Sequence, residues 1–421
     1  RSSDPKNLPL HSTSAATTEY AIQDVTSTSF GVTNYSTLKA SESGATYVAY
    51  LFAHNDGDGG FGPNGDQDII KCGSFTTDGS GSFGSVELGF EPQWLLVKRT
   101  DTTQNWYLLD NMRGFAVKNQ RTLSPNLSGN ELNFGATSYI YPTATGFAGS
   151  SNFFGTNANV SYIAIRRGPM AVPESATEVF DIDLVNPGYS TITTPFPVDL
   201  SLGAKRSGSA ANFSTIDRLR GGVGLRTNAT DAEQTITVAL DSMNSFSNAI
   251  FGSGDHVFYS WKRAPGFLDV VAYEGNGASG RTLSHNLGVA PEMVWVKARN
   301  ANVYSWIVQG TAIETGKRLE LNETYPLLTT FGGVSNLTAT SFDLGNWNNV
   351  NGNTTTYVAY LFASLDGVSK VGSYTGNGTS GRVIDCGFTN GARFLLIKEI
   401  SGAGNWMVFD AVRGITATAN D

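Results

Sequence analysis

The chain has 421 residues and a formal net charge of −8, and only 15% of its residues are charged. So little charge argues against a disordered segment or a coiled coil, and the acidic balance argues against binding to nucleic acid or to an anionic membrane surface. No apolar run is long enough for a membrane-spanning helix, so we expect no membrane insertion. With 48 glycines and 11% aromatic residues, the composition is typical of packed β structure in two to four domains.

Cysteine and histidine are too rare for the common disulfide and metal sites. The chain has two cysteines and four histidines, and none of them follows a zinc-ligand or metalloprotease spacing. Cys72 and Cys386 each stand where another copy of the repeat described below has an aliphatic residue, so we predict that both are small buried apolar side chains.

The first element in chain order is an apolar run, TYVAYLFA at residues 46–53, which recurs letter for letter at residues 356–363. Weaker copies lie at residues 161–166 and 256–261, so the repeat period is about 100 residues. The run is too short for a helix and rich in large side chains, which predicts a strand buried on both faces in each copy.

A second repeated block combines an apolar run that ends in lysine, a tryptophan and an Asp-x-x-Arg-Gly motif. Its best copies lie within residues 73–114 and 372–414, while the copy within 271–306 has lost the Asp and the Arg. The copy within 198–221 keeps the Asp and the Arg but has a diverged strand. The four-residue apolar runs predict further strands buried on both faces.

Asn-Gly and Asp-Gly pairs follow the first strand of each block, at Asp78-Gly79, Asn276-Gly277 and Asn377-Gly378. Such pairs supply the two positive φ angles of a type I′ turn, so we predict hairpin tips there. The surrounding G-x-G-x-x-G letters match the dinucleotide fingerprint, but a strand-like run follows them where that fingerprint needs a helix, so we expect no bound cofactor.

Modules of about 100 residues, each with seven or eight short strands, have the size of a β-sandwich. The sequence therefore predicts an all-β protein, a tandem array of about four related β-sandwich-like modules. We number them module 1 (residues 1–53, the C-terminal part of a first module), module 2 (54–167), module 3 (168–263, diverged), module 4 (264–364) and module 5 (365–421, the N-terminal part of a further module). An alternative frame divides the chain at the Arg-Gly turns, into 1–114, 115–221, 222–313 and 314–421. Both ends fall at equivalent loops, and we expect a window of a longer array.

The Asp-x-x-Arg-Gly motif suggests a structural clamp. Its copies are the pairs Asp110 and Arg113, Asp217 and Arg220, and Asp410 and Arg413. A carboxylate and a guanidinium at this spacing can pair across a turn and tie a strand to the loop that follows it. No base or nucleophile accompanies the pairs, which argues against catalysis.

Two further features carry candidate ligand chemistry. Asp56, Asp58, Asp66 and Asp68 lie on a glycine-rich insertion that could hold Ca²⁺, although the spacing is not that of an EF-hand and the alternative is a solvated loop. Trp347 is flanked by asparagines in a predicted loop, where an exposed ring could stack on a sugar or on a partner protein. We expect no other metal or cofactor.

The repeated residues carry a family resemblance. The segments at residues 357–363, 371–378 and 394–398, followed by Trp406 and the Asp410 motif, resemble a β module that recurs in virion structural and tail-fibre-like proteins of marine and other tailed bacteriophages. The resemblance is strongest over residues 47–170 and 357–414 and weakest between about 180 and 255. It implies a component of the phage particle and supplies no catalytic residue.

The leading hypothesis is a non-enzymatic virion structural protein, part of a tail fibre, appendage or surface decoration that serves host attachment. Its expected partners are other virion proteins, copies of itself and a host surface glycan or protein. Its expected location is the extracellular particle after assembly in the host cytoplasm. A carbohydrate-binding adhesin is the alternative, and a polysaccharide depolymerase, which needs two facing carboxylates, is a third.

Overall fold

The computed structural model is built almost wholly of β-strands, which confirms the predicted all-β class. The structure describes residues 6–18, 21–34, 40–52, 54, 60–118, 120–134, 139–150, 153–186, 191–207, 212–236, 240–247, 254–329 and 332–415. Within these ranges the only helices are the 3₁₀ turn Ala176–Glu178 and the one-turn helix α1, Asn348–Asn351. Neither has the length or the apolar character needed to cross a bilayer.

The chain divides into two compact units. Unit 1 comprises Arg1–Asp110 and Arg121–Arg167, and unit 2 comprises Asn111–Gln120 and Gly168–Asp421. The division after residue 167 falls at the boundary expected between modules 2 and 3.

Module 1, in unit 1, has two short paired strands, β1 (Ile22–Gln23) and β2 (Gly31–Val32). The buried strand predicted over residues 47–53 is wrong for the described part, 47–52, which forms no strand and is exposed; Ala53 lies outside the described residues. Tyr50 is 85% exposed and Leu51 is 74% exposed. The same letters are buried in module 4 because two strands flank them there, whereas no strand flanks them among the described residues of module 1.

Module 2 consists of two antiparallel sheets that face each other. Its strands are β3 (Ile70–Thr76), β4 (Phe83–Glu87), β5 (Pro92–Arg99), β6 (Trp106–Asp110), β7 (Gln120–Thr122), β8 (Leu132–Phe134), β9 (Ile140–Thr143), β10 (Gly146–Gly149) and β11 (Asn159–Arg166). The large sheet has the order β3-β11-β5-β6, and the small sheet has the order β4-β10-β9. The ring of Phe75 on the large sheet lies 4.6 Å from that of Phe83 and 5.7 Å from that of Phe147, both on the small sheet.

Module 3, in unit 2, repeats this plan with a longer large sheet. Its strands are β12 (Phe180–Val185), β13 (Thr191–Thr193), β14 (Leu200–Lys205), β15 (Ser214–Asp217), β16 (Val223–Arg226), β17 (Gln234–Thr235), β18 (Ser245–Ser247) and β19 (His256–Trp261). The large sheet has the order β12-β19-β14-β15-β16-β17, and β13 pairs with β18.

Module 4 has the most regular sandwich. Its strands are β20 (Leu268–Glu274), β21 (Arg281–Ser284), β22 (Met293–Ala298), β23 (Ile307–Gln309), β24 (Lys317–Glu320), β25 (Leu328–Thr329), β26 (Val334–Ser335), β27 (Ser341–Leu344) and β28 (Thr356–Phe362). The large sheet has the order β20-β28-β22-β23-β24-β25, and the small sheet has the order β21-β27-β26. In modules 2, 3 and 4 the last strand therefore lies between the first strand and a third strand, which is β5, β14 or β22. In modules 2 and 4 this third strand carries the apolar run that ends in lysine.

Module 5 has β29 (Phe394–Lys398) and β30 (Trp406–Asp410), which pair with each other. They correspond to β22 and β23 of module 4. In both modules the first strand of the pair carries the apolar run that ends in lysine, and the second strand lies at the repeated tryptophan. Along the other edge of β29, the described residues of module 5 provide no strand.

The predicted type I′ hairpins are wrong. Asn276-Gly277 connects β20 to β21, and these strands belong to different sheets of the sandwich. Gly277 alone of the two has a positive φ, 68°, whereas a type I′ turn needs two. Asp78-Gly79 likewise lies between β3 and β4, which also belong to different sheets. In both modules the last strand already pairs with the first strand. The second strand therefore cannot form a hairpin with the first and belongs to the other sheet.

The large sheets of unit 2 are buried on both faces. One face of the module 4 sheet packs on its own small sheet, around Val296, Phe342 and Ala359. The other faces meet in one core shared by modules 3, 4 and 5, with the aromatic residues Phe180, Tyr259, Trp261, Trp295, Trp306, Tyr360, Phe394 and Trp406. The rings of Tyr259 and Phe394, from modules 3 and 5, lie 5.0 Å apart. This shared core places polar contacts between modules at the centre of the unit.

Candidate functional site: the contacts between modules

The clamp residues Asp217 and Arg220 contact each other, and a third side chain from another module completes the group. Asp217 ends β15, and the Arg220 Nε donates to its carboxylate. Tyr360, in the central strand β28 of module 4, donates its hydroxyl to Asp217 Oδ2 at 2.7 Å and accepts from Arg220 Nη2 at 3.0 Å. The triad therefore joins modules 3 and 4 rather than a strand to its own loop alone.

The same triad recurs between modules 5 and 3. Arg413 Nε donates to Asp410, which ends β30. Tyr259, in the central strand β19, donates to Asp410 Oδ2 at 2.8 Å and accepts from Arg413 Nη2 at 2.7 Å. Tyr259 and Tyr360 hold the same position in their strands. In each case the residue two places further along the strand pairs with the first residue of the neighbouring strand, β14 or β22.

The triad between modules 3 and 4 is a buried charge network. The side chains of Asp217 and Arg220 are both fully buried. Glu233 lies 3.5 Å from Arg220 Nη1 and accepts two hydrogen bonds from Arg299 of module 4, at 2.9 and 3.0 Å. Burial alone would lower the pKa of Arg220, but the charges of Asp217 and Glu233 and the hydrogen bond to Asp217 outweigh it and raise that pKa. The guanidinium therefore stays charged at any physiological pH.

In the second triad, burial opposes ionisation of Asp410, but hydrogen bonds from Arg413 and Tyr259 lower its pKa below the usual value. Burial and the hydrogen bond to Asp410 raise the pKa of Tyr259, although the Arg413 charge acts in the opposite direction. Asp410 is thus a carboxylate and Tyr259 a neutral phenol that donates a proton to it.

The remaining copies of the motif differ. Asp110 is buried at the end of β6 in unit 1, and Arg113 belongs to the segment grouped with unit 2, so the pairing of these two residues stays a prediction. In module 4, Gly310 directly follows β23 where the other copies have aspartate.

A repeated lysine forms a second contact between modules. Lys297, at the end of the apolar run in β22, is fully buried. Its Nζ donates to three carbonyl oxygens: Ala298 and Tyr304 of its own module at 3.2 and 3.0 Å, and Thr230 of module 3 at 2.9 Å. Three N–H donors therefore meet three acceptors, which compensates for burying the ammonium group.

Equivalent lysines bind the preceding module at two more junctions. Lys98 of module 2 donates to the Thr13 carbonyl of module 1 at 3.4 Å. Lys398 of module 5 donates to the Thr324 carbonyl of module 4 at 3.3 Å. Burial lowers the pKa of all three lysines, and that of Lys297 falls to about 8.

A repeated tryptophan accompanies each lysine. The indole Nε1 of Trp106 donates to the Pro9 carbonyl at 3.0 Å, that of Trp306 to Arg226 at 2.8 Å, and that of Trp406 to Glu320 at 3.0 Å. Each acceptor lies in the module that precedes the tryptophan in sequence. We call the lysine and tryptophan together the Lys–Trp junction; it joins modules 1 and 2, 3 and 4, and 4 and 5.

Module 3 lacks the Lys–Trp junction residues. Ala204 lies opposite Val257 as Lys297 lies opposite Val358, so it holds the lysine position. Phe213 directly precedes β15 as Trp306 directly precedes β23, so it holds the tryptophan position.

The candidate calcium ligands are described only in part, so the calcium site stays a prediction. Asp56 and Asp58 lie outside the described residues, while Asp66 is exposed and Asp68 is half-buried. Across the described part of the chain, no three His, Cys, Asp or Glu side chains are arranged to hold a metal ion.

Trp347 is half-buried rather than fully exposed, and its role as a stacking platform stays a prediction. It directly precedes helix α1, packs half-buried against the module 4 core, and the guanidinium of Arg318 lies 4.8 Å from its ring centroid. The two cysteines are free thiols, both half-buried rather than fully buried, and burial raises the pKa of Cys72.

Sequence reasoning missed Tyr259, Tyr360 and the role of the repeated lysines and tryptophans. A signal for the tyrosines was present, because both occupy one position of the repeated TYVAYLF strand. The lysines and tryptophans were visible as repeated letters, but a single sequence does not tell which module a side chain will contact.

The fold and these contacts define a chain of related β modules, with polar contacts between modules that recur at three junctions. The chain belongs to the family described as Domain of unknown function (DUF7483), whose model matches residues 2–164 and 256–421. The stretch between the two matches comprises most of module 3, the copy without the junction residues. No curated protein and no solved structure matches the chain.

Proposed function

We propose that this protein is a non-enzymatic structural component of a bacteriophage particle, part of a tail fibre, appendage or surface decoration that serves host attachment. The observation that carries the proposal is the Lys–Trp junction, which repeats at three places with the same donors and backbone acceptors. The most strongly repeated polar residues thus build contacts between modules. Such contacts suit a protein whose task is to hold a shape under load.

The virion assignment draws its support from the resemblance of the repeated segments to phage particle proteins. Mass spectrometry of gradient-purified particles tests it, with a non-structural protein of the same phage as the purity control. We expect this chain in the particles at a stoichiometry comparable to that of known fibre or decoration proteins. If the particles are pure, as shown by the absence of the non-structural control protein, and this chain is also absent from them, the proposal is overturned.

Image reconstruction of the same particles then tests the position. Antibody fragments raised against unit 1 should label a tail fibre, an appendage or the capsid surface. Labelling confined to the particle interior would contradict a role in host attachment.

A further inference from the structure

One face of the large sheet in module 3 carries a row of polar side chains. Ser260 of β19 pairs with Ser201 of β14 on one side and with Asp181 of β12 on the other. Paired residues of an antiparallel sheet point to the same face, and Asp183, two residues further along β12, points there too. Four oxygen-bearing side chains therefore share one face of three neighbouring strands.

This face points into the interior of module 3. Phe258 and Val185 lie on it as well, two residues from Ser260 and two residues from Asp183 respectively. Both belong to the apolar core of the module, together with Phe246 of β18, whose ring lies 5.6 Å from that of Phe258. The polar row therefore lies beside an apolar core.

Three positions of this face are polar in module 3 and apolar in module 4. The corresponding residues, matched by their places in the paired strands, are Ser260 and Leu361, Ser201 and Val294, and Asp183 and Val271. Leu361 and Val294 are fully buried in module 4. The sandwich can thus be built without polar groups here, and module 3 forgoes the apolar burial that module 4 gains at the same places.

The polar side chains of module 3 are buried without hydrogen-bond partners. Ser201 is 1% exposed and Ser260 is fully buried, and neither hydroxyl bonds to a group in the part of the chain that the structure describes. Asp183 Oδ2 is also buried and meets no donor there. A buried polar atom without a partner costs free energy, so three of them on one face indicate a ligand that bonds to them.

The charges on this face favour a cation as that ligand. Burial and the charge of Asp181 both raise the pKa of Asp183, to about 7, and no cationic side chain among the described residues opposes them. Asp181 itself lies 3.4 Å from Arg393 Nη2, in a pair whose arginine side chain is 36% exposed. The Asp183 carboxylate therefore lacks a positive partner, which a bound metal ion supplies.

We propose that this face of module 3 binds one hard metal cation, of the class of Ca²⁺, with Asp183 and Ser260 as its protein ligands. Carboxylate and hydroxyl oxygens, without nitrogen or sulfur, are the donors that such cations prefer. Ser260 lies diagonally across from Asp183, because Asp183 pairs with Phe258. Diagonal neighbours lie about 7–8 Å apart, so the two side chains reach one ion between them.

Ser201 completes the site through a water molecule of the bound ion. It lies directly opposite Ser260 but one strand further from Asp183, beyond direct reach of the same ion. Calcium commonly keeps water among its six to eight oxygen ligands. The inference concerns a ligand of module 3 and holds whether or not the protein is a virion component.

The first experiment measures calcium binding to the full chain by isothermal titration calorimetry after treatment with a chelator. The chain carries Asp66→Asn and Asp68→Asn, so that the candidate calcium loop of module 2 does not contribute. We expect one bound Ca²⁺ per chain, and Asp183→Asn should weaken it by about tenfold or more, since even the loss of an outer-shell partner costs about 10–100-fold in metal affinity.

Asp241→Asn is the matched control for this titration, because Asp241 is an exposed aspartate of module 3 outside the face. It should leave the calcium affinity unchanged. A chain that binds no calcium in this background, or that binds it equally well with Asp183→Asn, would overturn the proposal.

The second experiment gives module 3 the residues of module 4, by Asp183→Val together with Ser260→Leu. Ligand binding to the folded state raises the midpoint of thermal unfolding, so calcium should raise it in the native chain and not in this variant. If the variant does not fold, the same comparison is made with Ser260→Ala, which removes the hydroxyl alone. A calcium response that survives Ser260→Ala undiminished contradicts the assigned ligands.

The third experiment locates the ion. Crystals of the full chain grown with calcium should show an anomalous difference peak between β12 and β19, within coordination distance of Asp183 and Ser260 oxygens. Density at this place that belongs to a water molecule only, without an anomalous signal, would mean that the buried oxygens are solvated and that the site is not a metal site.

Discussion

Arg220 shows how much one buried side chain contributes to a junction. It is fully buried against Asp217, and Tyr360 and Glu233 complete its surroundings. A charge pair in such a place gains little over an apolar pair, but losing one partner leaves the other charge buried without compensation. The junction is therefore sensitive to single substitutions.

Arg220→Met should lower the free energy of unfolding by about 3–5 kcal/mol, because it leaves the Asp217 carboxylate buried without its cation. The matched control is Arg226→Met, whose pair with Asp231 is 38% and 36% exposed and should contribute less than about 1 kcal/mol. Urea unfolding followed by tryptophan fluorescence measures both. Equal losses for the two variants would contradict a buried network.

Lys297 predicts a pH dependence of stability. Desolvation lowers its pKa from 10.5 to about 8 in the folded chain. Between these values the unfolded chain retains a proton that the folded chain has released, so stability rises with pH across this window. We expect Lys297 to contribute a rise on the order of 1–2 kcal/mol between pH 7 and 9.5.

Comparing the native chain with Lys297→Met at several pH values isolates this contribution. The variant lacks the titrating group, so the stability difference should shift in favour of the native chain as the pH rises from 7 to 9.5. A difference that does not change with pH would show that Lys297 titrates alike in the folded and unfolded chains.

Among the structural elements, the Arg-Gly turns constrain the backbone in two ways at once. Gly221 has a φ of 71°, and a Cβ built on it would lie 2.6 Å from the Arg113 carbonyl oxygen. Gly114, in the turn that includes Arg113, also has a positive φ, 97°. Both the conformation and the close backbone approach therefore require glycine.

Gly221→Ala should destabilise unit 2 by about 1–3 kcal/mol through backbone strain and the displaced carbonyl. Gly376→Ala is the matched control, since a Cβ there meets nothing within 4 Å and its φ is not in the left-handed region. Thermal unfolding of both variants measures the difference. A Gly221→Ala chain as stable as the control would mean that the turn relaxes without cost.

The elements also mark how far the sequence predicts the structure. Lys297 and the strand before it were predictable, since repetition and an apolar run carry that information locally. Tyr360 as a partner of Asp217 was not, because their contact joins side chains 143 residues apart. The hairpin predicted at Asn276-Gly277 failed for a related reason: the strand that displaces it, β28, lies some 80 residues further along the chain.

The whole of unit 2 should unfold as one cooperative body, because modules 3, 4 and 5 bury their large sheets in one core. Trp306→Ala, in module 4, should lower the protection of backbone amides in β19 of module 3 and β29 of module 5 as well as in its own module. Hydrogen exchange followed by mass spectrometry measures each segment. Ile140→Ala, a buried position in module 2, is the control and should leave those segments protected.

Loss of protection confined to module 4 would contradict a shared core. It would mean instead that each sandwich is stable by itself, as expected if every module makes its apolar contacts within itself and not with other modules.

The shared core also delays complete folding of module 3 during synthesis on the ribosome. Tyr259 bonds to Asp410, which is synthesised 151 residues later. At typical translation rates of about 5–20 residues per second, Asp410 is synthesised roughly 8–30 s after Tyr259. During that interval part of the aromatic surface of module 3 lacks its module 5 neighbours, so we expect the rate of translation through modules 4 and 5 to affect how much of the protein aggregates.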